Sequence, residues 1–331
     1  MSAVGGSLTL SASNVSNSSG SFSATDGGVL NFSGTITNTG HTLTLDGSTG
    51  FYNVTGGNVV GGMIVLTGGA TLRGASNNGN RLTGVNVVGD ILLAASSARM
   101  RIEGGTTFTR VRITGDNSSL AFAPDQVVTG EIIFEGPGTS VRHVEMNGVS
   151  GTLTFAPSAA VRAAPGYAGN IEIGGGYAFG GAMTLINQGL ISSEIAGRNL
   201  IVDPSVFTNQ GTLQVVNSGR IDAYNFTNAG SVIVGGGTSV LFVSGNYTQV
   251  SGTTSIAGGT LDPSIATFIN GGELSGFGTV AGNLTSAGTL NPGGANAAGT
   301  LTVQGTYTQT ASGTLNIDVG GLTQGSQYDR L

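Results

Sequence analysis

Phe207-Thr208-Asn209-Gln210-Gly211, Phe226-Thr227-Asn228-Ala229-Gly230, Tyr247-Thr248-Gln249 and Phe268-Ile269-Asn270-Gly271-Gly272 are four versions of one motif. The aromatic recurs at intervals of 19, 21 and 21 residues, and the amide two places later keeps the same intervals. A period of this length belongs to a solenoid, in which each repeat is one turn of chain that buries its apolar face only by stacking on its neighbours. Working outward, Leu185-Ile186-Asn187-Gln188-Gly189 opens the series. The closing glycines then fall at 189, 211, 230, 252, 272, 288 and, after a looser gap, 313. In a parallel β-helix like residues lie above like residues about 4.8 Å apart. That geometry predicts an inward aromatic column of Phe207, Phe226, Tyr247 and Phe268, continued by Tyr307. It also predicts an amide ladder of Asn209, Asn228, Gln249 and Asn270, whose side chains bond along the stacking direction. Gly211, Gly230 and Gly272 are expected to supply an open backbone conformation at the turn. All of these are structural positions rather than a binding site.

The rest of the chain supports the same class. Thr42-Leu43-Thr44-Leu45, Arg110-Val111-Arg112-Ile113, Thr152-Leu153-Thr154-Phe155 and Thr300-Leu301-Thr302-Val303 alternate with the period of a strand that buries one face. Gly-Gly, Asn-Gly and Ser-Gly steps separate such segments at intervals too short for helices. The expected fold is all-β: a parallel, right-handed β-helix of roughly 15–16 turns, about 75 Å long at one strand spacing per turn. Residues 1–331 are expected to form one solenoid. Residues 1–180 carry irregular turns with loop excursions, such as Gly174-Gly175-Gly176-Tyr177-Ala178-Phe179-Gly180-Gly181, and residues 181–331 carry regular ones. Excursions of this kind place loops on one side of a solenoid, where function more often resides.

Composition narrows the function classes. Among 331 residues there are 60 glycines, no cysteine, no tryptophan and no lysine, and the net charge is −6. Without cysteine neither disulfides nor thiolate metal sites can form. Without a basic run a nucleic-acid surface is not expected. No apolar stretch is long enough for a membrane helix. His41 and His143 are single, with no partner at metal-ligand spacing, and are read as surface or loop residues. The calcium-binding glycine-aspartate nonapeptide, the Gly-x-Ser-x-Gly elbow and the lysine phosphate loop are all missing, so no metal, cofactor or catalytic residue is expected.

Charge concentrates in residues 99–145. Arg99, Arg101, Glu103, Arg110, Arg112, Glu131, Glu135 and Arg142 are the candidate binding residues there, with Asp116, Asp125 and Glu145 among them. Alternation with Met100, Ile102, Val111 and Ile113 places the charged set on the outer face. Three readings stay open: a solvated face of cross-strand ion pairs, an arginine-rich surface for an anionic glycan or a partner protein, and a catalytic groove. Glu131 and Glu135, four apart on one strand, would stand about 13 Å apart, too far for an acid and base acting on one glycosidic bond. Thr-x-Thr pairs, as at 35/37 and 42/44, are too scattered along the turns to suggest a flat ice-binding array.

The stretch from Leu290 onward resembles the passenger regions of bacterial autotransporters and related secreted adhesins. Asn291-Pro292-Gly293, Gly305-Thr306-Tyr307-Thr308-Gln309 and the closing Tyr328-Asp329-Arg330-Leu331 carry the likeness, and the Phe-Thr-Asn-x-Gly turns are similar to the same class. The likeness covers about residues 185–331. It implies a right-handed β-helix at the bacterial outer surface or released from it. It implies roles in adhesion, aggregation or surface-layer assembly, with other surface proteins, glycans or a second copy placed end to end as partners. It brings no catalytic residues. A glycan-binding or glycan-cleaving β-helix using the 99–145 patch is the alternative. The chain lacks the charged and apolar regions of a signal peptide and ends without a capping unit, so a segment of a longer protein is expected.

Overall fold

A computed structural model describes residues 2–13, 15–16, 23–46 and 50–331. Among these residues every regular element is a β-strand. The strands pair in parallel and stack as a β-solenoid with turns about 21 residues apart. The turns number about 14 rather than 15–16, because some are long: Glu131 pairs with Ala160 and His143 with Glu172, each 29 positions on. No helix of the described residues is long and apolar enough to cross a membrane, which says nothing of strands that could. Contacts divide the chain into two units, Met1–Met183 and Thr184–Leu331.

In the first unit the alternation seen in sequence becomes vertical files of side chains. Leu43, Ile64, Val87 and Phe108 lie above one another on successive turns. So do Leu72, Ile91, Val111, Ile132 and Val161. Ile36, Val59, Leu82, Ile102, Phe122 and Met146 form a third file. Nearly all are fully buried. Each file is a ladder of in-register neighbours at one strand spacing, so every β-branched or aromatic side chain packs on its counterpart above and below.

The second unit contains the motif that decides the fold. Phe207 and Phe226 are register partners with ring centroids 4.9 Å apart, and Tyr247 follows at 5.7 Å from Phe226. Two places on, the buried amides bond in series: Asn187 Nδ2 donates to Asn209 Oδ1 at 2.8 Å, Asn209 Nδ2 to Asn228 Oδ1 at 2.8 Å, and Asn228 Nδ2 to Gln249 Oε1 at 3.2 Å. Each amide also reaches a backbone carbonyl of a neighbouring turn, as Asn209 does at Ser231 O, so burying it leaves little unsatisfied.

The columns end one turn earlier than the motif predicts. Tyr247 pairs with Thr267 and Gln249 with Ile269, so Thr267 and Ile269 point inward while Phe268 is only half-buried and Asn270 is exposed. The turn from Tyr247 takes 20 residues rather than 21, a step already set where Val240–Ser244 pairs with Thr260–Pro263. Side chains alternate with period two, so one residue fewer in the turn moves Phe268 and Asn270 out of the core. Tyr307 does sit above Leu284 in the same column, half-buried. The glycines also differ in role. Gly272 takes φ +71°, but Gly211 and Gly230 do not have positive φ. A Cβ at Gly230 would meet the carbonyl oxygen of Gly211 at 2.4 Å, so these two positions require glycine for close approach between turns.

Candidate functional site: a covered polar face of the first unit

The charged patch resolves into two faces. On the first, strands Asn86–Leu93, Thr107–Ile113, Glu131–Phe134 and Ala160–Ala163 stack in register and alternate the sign of charge from turn to turn. Arg110 Nε lies 2.9 Å from Asp90 Oδ1, Arg112 Nε 2.8 Å from Glu135 Oε2, and Arg162 Nη2 2.6 Å from Glu131 Oε1. Longer contacts of 3.9 Å and 3.8 Å tie Arg110 to Glu131 and Arg112 to Asp90. Donating this hydrogen bond to Asp90 raises the Arg110 pKa above the usual arginine value. Both carboxylates considered for acid–base work, Glu131 and Glu135, are thus held by arginines of neighbouring turns.

The second face is built by Arg81–Thr83, Arg99–Glu103, Ser119–Phe122, Arg142–Met146 and Ile171–Ile173. Arg99, Ser119, His143 and Glu172 form one outward file. Arg81, Arg101, Ala121 and Glu145 form the next. The glycine-rich excursion at residues 174–182 folds back over this face. Tyr177 stacks on His143 with ring centroids 4.1 Å apart and an 8° interplanar angle. The Arg99 guanidinium lies 5.2 Å from the Tyr177 ring centre, and that of Arg101 lies 4.7 Å from the Phe179 ring centre.

Glu145 anchors the loop. Its carboxylate accepts backbone N–H bonds from Tyr177 (2.9 Å), Ala178 (3.1 Å), Phe179 (3.1 Å) and Gly180 (3.2 Å), and a further bond from the Ser119 hydroxyl. Successive N–H groups converging on one oxyanion make an anion nest, here filled by the protein's own carboxylate. His143 Nδ1 lies 3.1 Å from Glu172 Oε2, and this contact holds the Glu172 pKa below the usual glutamate value against the opposing effect of burial. Asn147 Nδ2 donates to Glu103 Oε1 at 3.0 Å and closes the edge of the face.

This geometry corrects the expectation that the whole set is exposed. Arg99 is 8 % exposed, His143 4 %, and Arg142 and Glu145 are fully buried. Arg142 sits at a corner rather than on a surface. Its guanidinium donates to the carbonyls of Gly115 (3.0 Å) and Thr114 (2.8 Å), contacts Asp116 at 3.4 Å and lies over Tyr167, so it clamps the turns around residues 114–116. Arg99 Nη1 likewise donates to Asn117 O at 2.5 Å. Arg101, Glu103, Arg110, Arg112, Glu131 and Glu135 remain partly exposed. Sequence reading passed over Ser119 and Glu172, and it set Tyr177 and Phe179 in a loop excursion without joining that loop to the charged patch. The available signal was the pairing of a Gly-rich excursion carrying two aromatics with a strand, Arg142–Met146, that holds three polar side chains among apolar ones.

Chemically the face is closed as it stands. Ser119 is committed to Glu145, and the His143 ring lies against Tyr177. Among the described residues no group of three or more His, Cys, Asp and Glu side chains is placed to hold a metal ion. No family model matches the chain, and neither a characterised protein nor a solved structure matches it.

Proposed function

We propose that this chain is a non-catalytic β-solenoid of a bacterial cell-surface or secreted protein, acting in attachment, aggregation or surface-layer assembly. The observation that carries the reading is the outward presentation of the second unit. Thr208, Thr227 and Thr248 follow one another in register and point out, and Thr285 and Thr308 continue the file beyond Phe268. Repeating one small polar group at each turn gives many weak, equivalent contacts on a rigid scaffold, and avidity from such contacts exceeds any single one. The charged ladder of the first unit fits the same role. Its carboxylates and guanidiniums neutralise one another, which leaves them structural rather than poised for proton transfer.

The test is adhesion of beads carrying the chain to bacterial cells, to host cells and to one another, beside beads carrying an unrelated β-protein. Adhesion or clustering well above the control is expected. Absence of both, together with release of reducing ends or unsaturated sugars from a polysaccharide panel, would replace this reading with the glycan-cleaving one.

A further inference from the structure

Arg81 and Arg101 stand apart from the other arginines of the first unit. They are register partners on neighbouring turns, which sets two like charges in one outward file, with the Arg101 guanidinium over the Phe179 ring. No hydrogen bond or ion pair holds either guanidinium among the described residues, and the buried Nε of Arg101 has no acceptor. Glu103 favours the charged form of Arg101 from a distance, but neither it nor Glu145 forms an ion pair with either arginine. Glu103, two places along the strand from Arg101, accepts from Asn147. Glu145, beyond Ala121 in the same file, is enclosed by the N–H groups of the loop. On its other side Arg81 pairs in register with Asn58, and Asn58 with Thr35. An open groove of about 420 Å³ runs there, lined by Ser33, Thr35, Asn58 and Arg81 over a floor of glycines. Asn58 Oδ1 already accepts from Thr83 at 3.0 Å, which leaves its amide N–H groups for something else. Burial, and Arg81 beside it, hold the Arg101 pKa below the usual arginine value.

Two like charges on adjacent turns, one of them with a buried unpaired donor, are eased by an anion bound beside them. Arginine forks suit the paired oxygens of a carboxylate or sulfate. A groove of this volume lined by hydroxyl and amide groups suits a polyhydroxylated chain. We infer that Arg81 and Arg101 form an oxyanion subsite at the end of this groove and that its ligand is an acidic oligosaccharide, the charged group bridging the two guanidiniums and the sugar hydroxyls meeting Ser33, Thr35 and Asn58. This gives the attachment role a ligand class, but it is measured without any cell.

The experiment titrates the full chain calorimetrically with tetragalacturonate, with a heparin-derived tetrasaccharide, with neutral maltotetraose and with sodium sulfate alone. One or both charged oligosaccharides bind, maltotetraose does not, and the comparison of the two separates carboxylate from sulfate recognition. Arg81→Gln weakens binding by about tenfold or more, added salt weakens it further, and Arg162→Gln, which removes a partner of Glu131, leaves it unchanged. Arg81 lies outside the loop contacts, so this variant keeps the test valid even if Arg101→Gln disturbs the fold. The inference is overturned if neither charged sugar binds at millimolar concentration, if maltotetraose binds equally, if sulfate alone matches the oligosaccharides, or if Arg81→Gln binds like the unmodified chain. Loss of sugar binding with bead adhesion intact would remove the subsite and leave the proposed role standing.

Discussion

Four consecutive backbone N–H groups, those of Tyr177 to Gly180, end on the carboxylate of Glu145. Glu145→Gln keeps the shape but turns a donor toward those N–H groups, and it is expected to cost about 2–4 kcal/mol, read as a lower urea midpoint. In the second unit, Asn209 and Asn270 occupy the same place in the motif but opposite environments, one fully buried and one exposed. Asn209→Ala breaks the ladder on both sides and should cost about 2–3 kcal/mol, whereas Asn270→Ala should stay within about 0.5 kcal/mol. The paired aromatics behave likewise: Phe207→Ala should cost about 3–5 kcal/mol and Phe268→Ala much less. Equal effects at the two members of either pair, in equilibrium urea unfolding, would show that the register at Ala266–Ile269 is not the one described.

At the scale of elements, the loop at 174–182 and the strand Ile171–Ile173 that leads into it are coupled through Glu172. His143 beside it holds its carboxyl below the usual glutamate range in the folded protein. A depressed carboxylate contributes stability that is present above its unfolded pKa and lost as pH falls through the folded one. The first unit should therefore lose stability as pH falls below about 4.5, and Glu172→Gln should flatten that limb of a pH series of urea midpoints. Closure of the loop depends on Gly181, which takes φ +97° and where a Cβ would sit 3.0 Å from the Val149 carbonyl. Gly181→Val is expected to lift the loop, and faster amide exchange at residues 177–180 than in the unmodified chain is the measurement that checks it. Unchanged protection there would mean that the loop is held by Glu145 and the aromatic contacts alone.

At the scale of the molecule, a solenoid turn touches only its neighbours, so damage should stay local. Phe207→Ala is expected to speed amide exchange in the turns carrying Leu185 and Phe226 well before those carrying Leu290 and Leu301, and uniform acceleration across the second unit would contradict this. The sequence by itself determined the parallel solenoid, its inward files and the amide ladder as far as Gln249. Those follow from alternation, turn glycines and a recurring aromatic, all of which are written into each repeat by the pleat of its own strand. It also placed Glu131 and Glu135 too far apart to work as a pair. Only the tertiary structure decided that a 20-residue turn leaves Phe268 and Asn270 outside, because that depends on which residues of the neighbouring turn a strand meets. Only it decided that Arg99, His143 and Glu145 lie beneath a loop, that Arg142 clamps a corner, and that Arg81 and Arg101 are register partners with no ion pair among the described residues. Alternation says which way a side chain leaves its strand; what lies over it is set by segments that arrive from elsewhere in the chain.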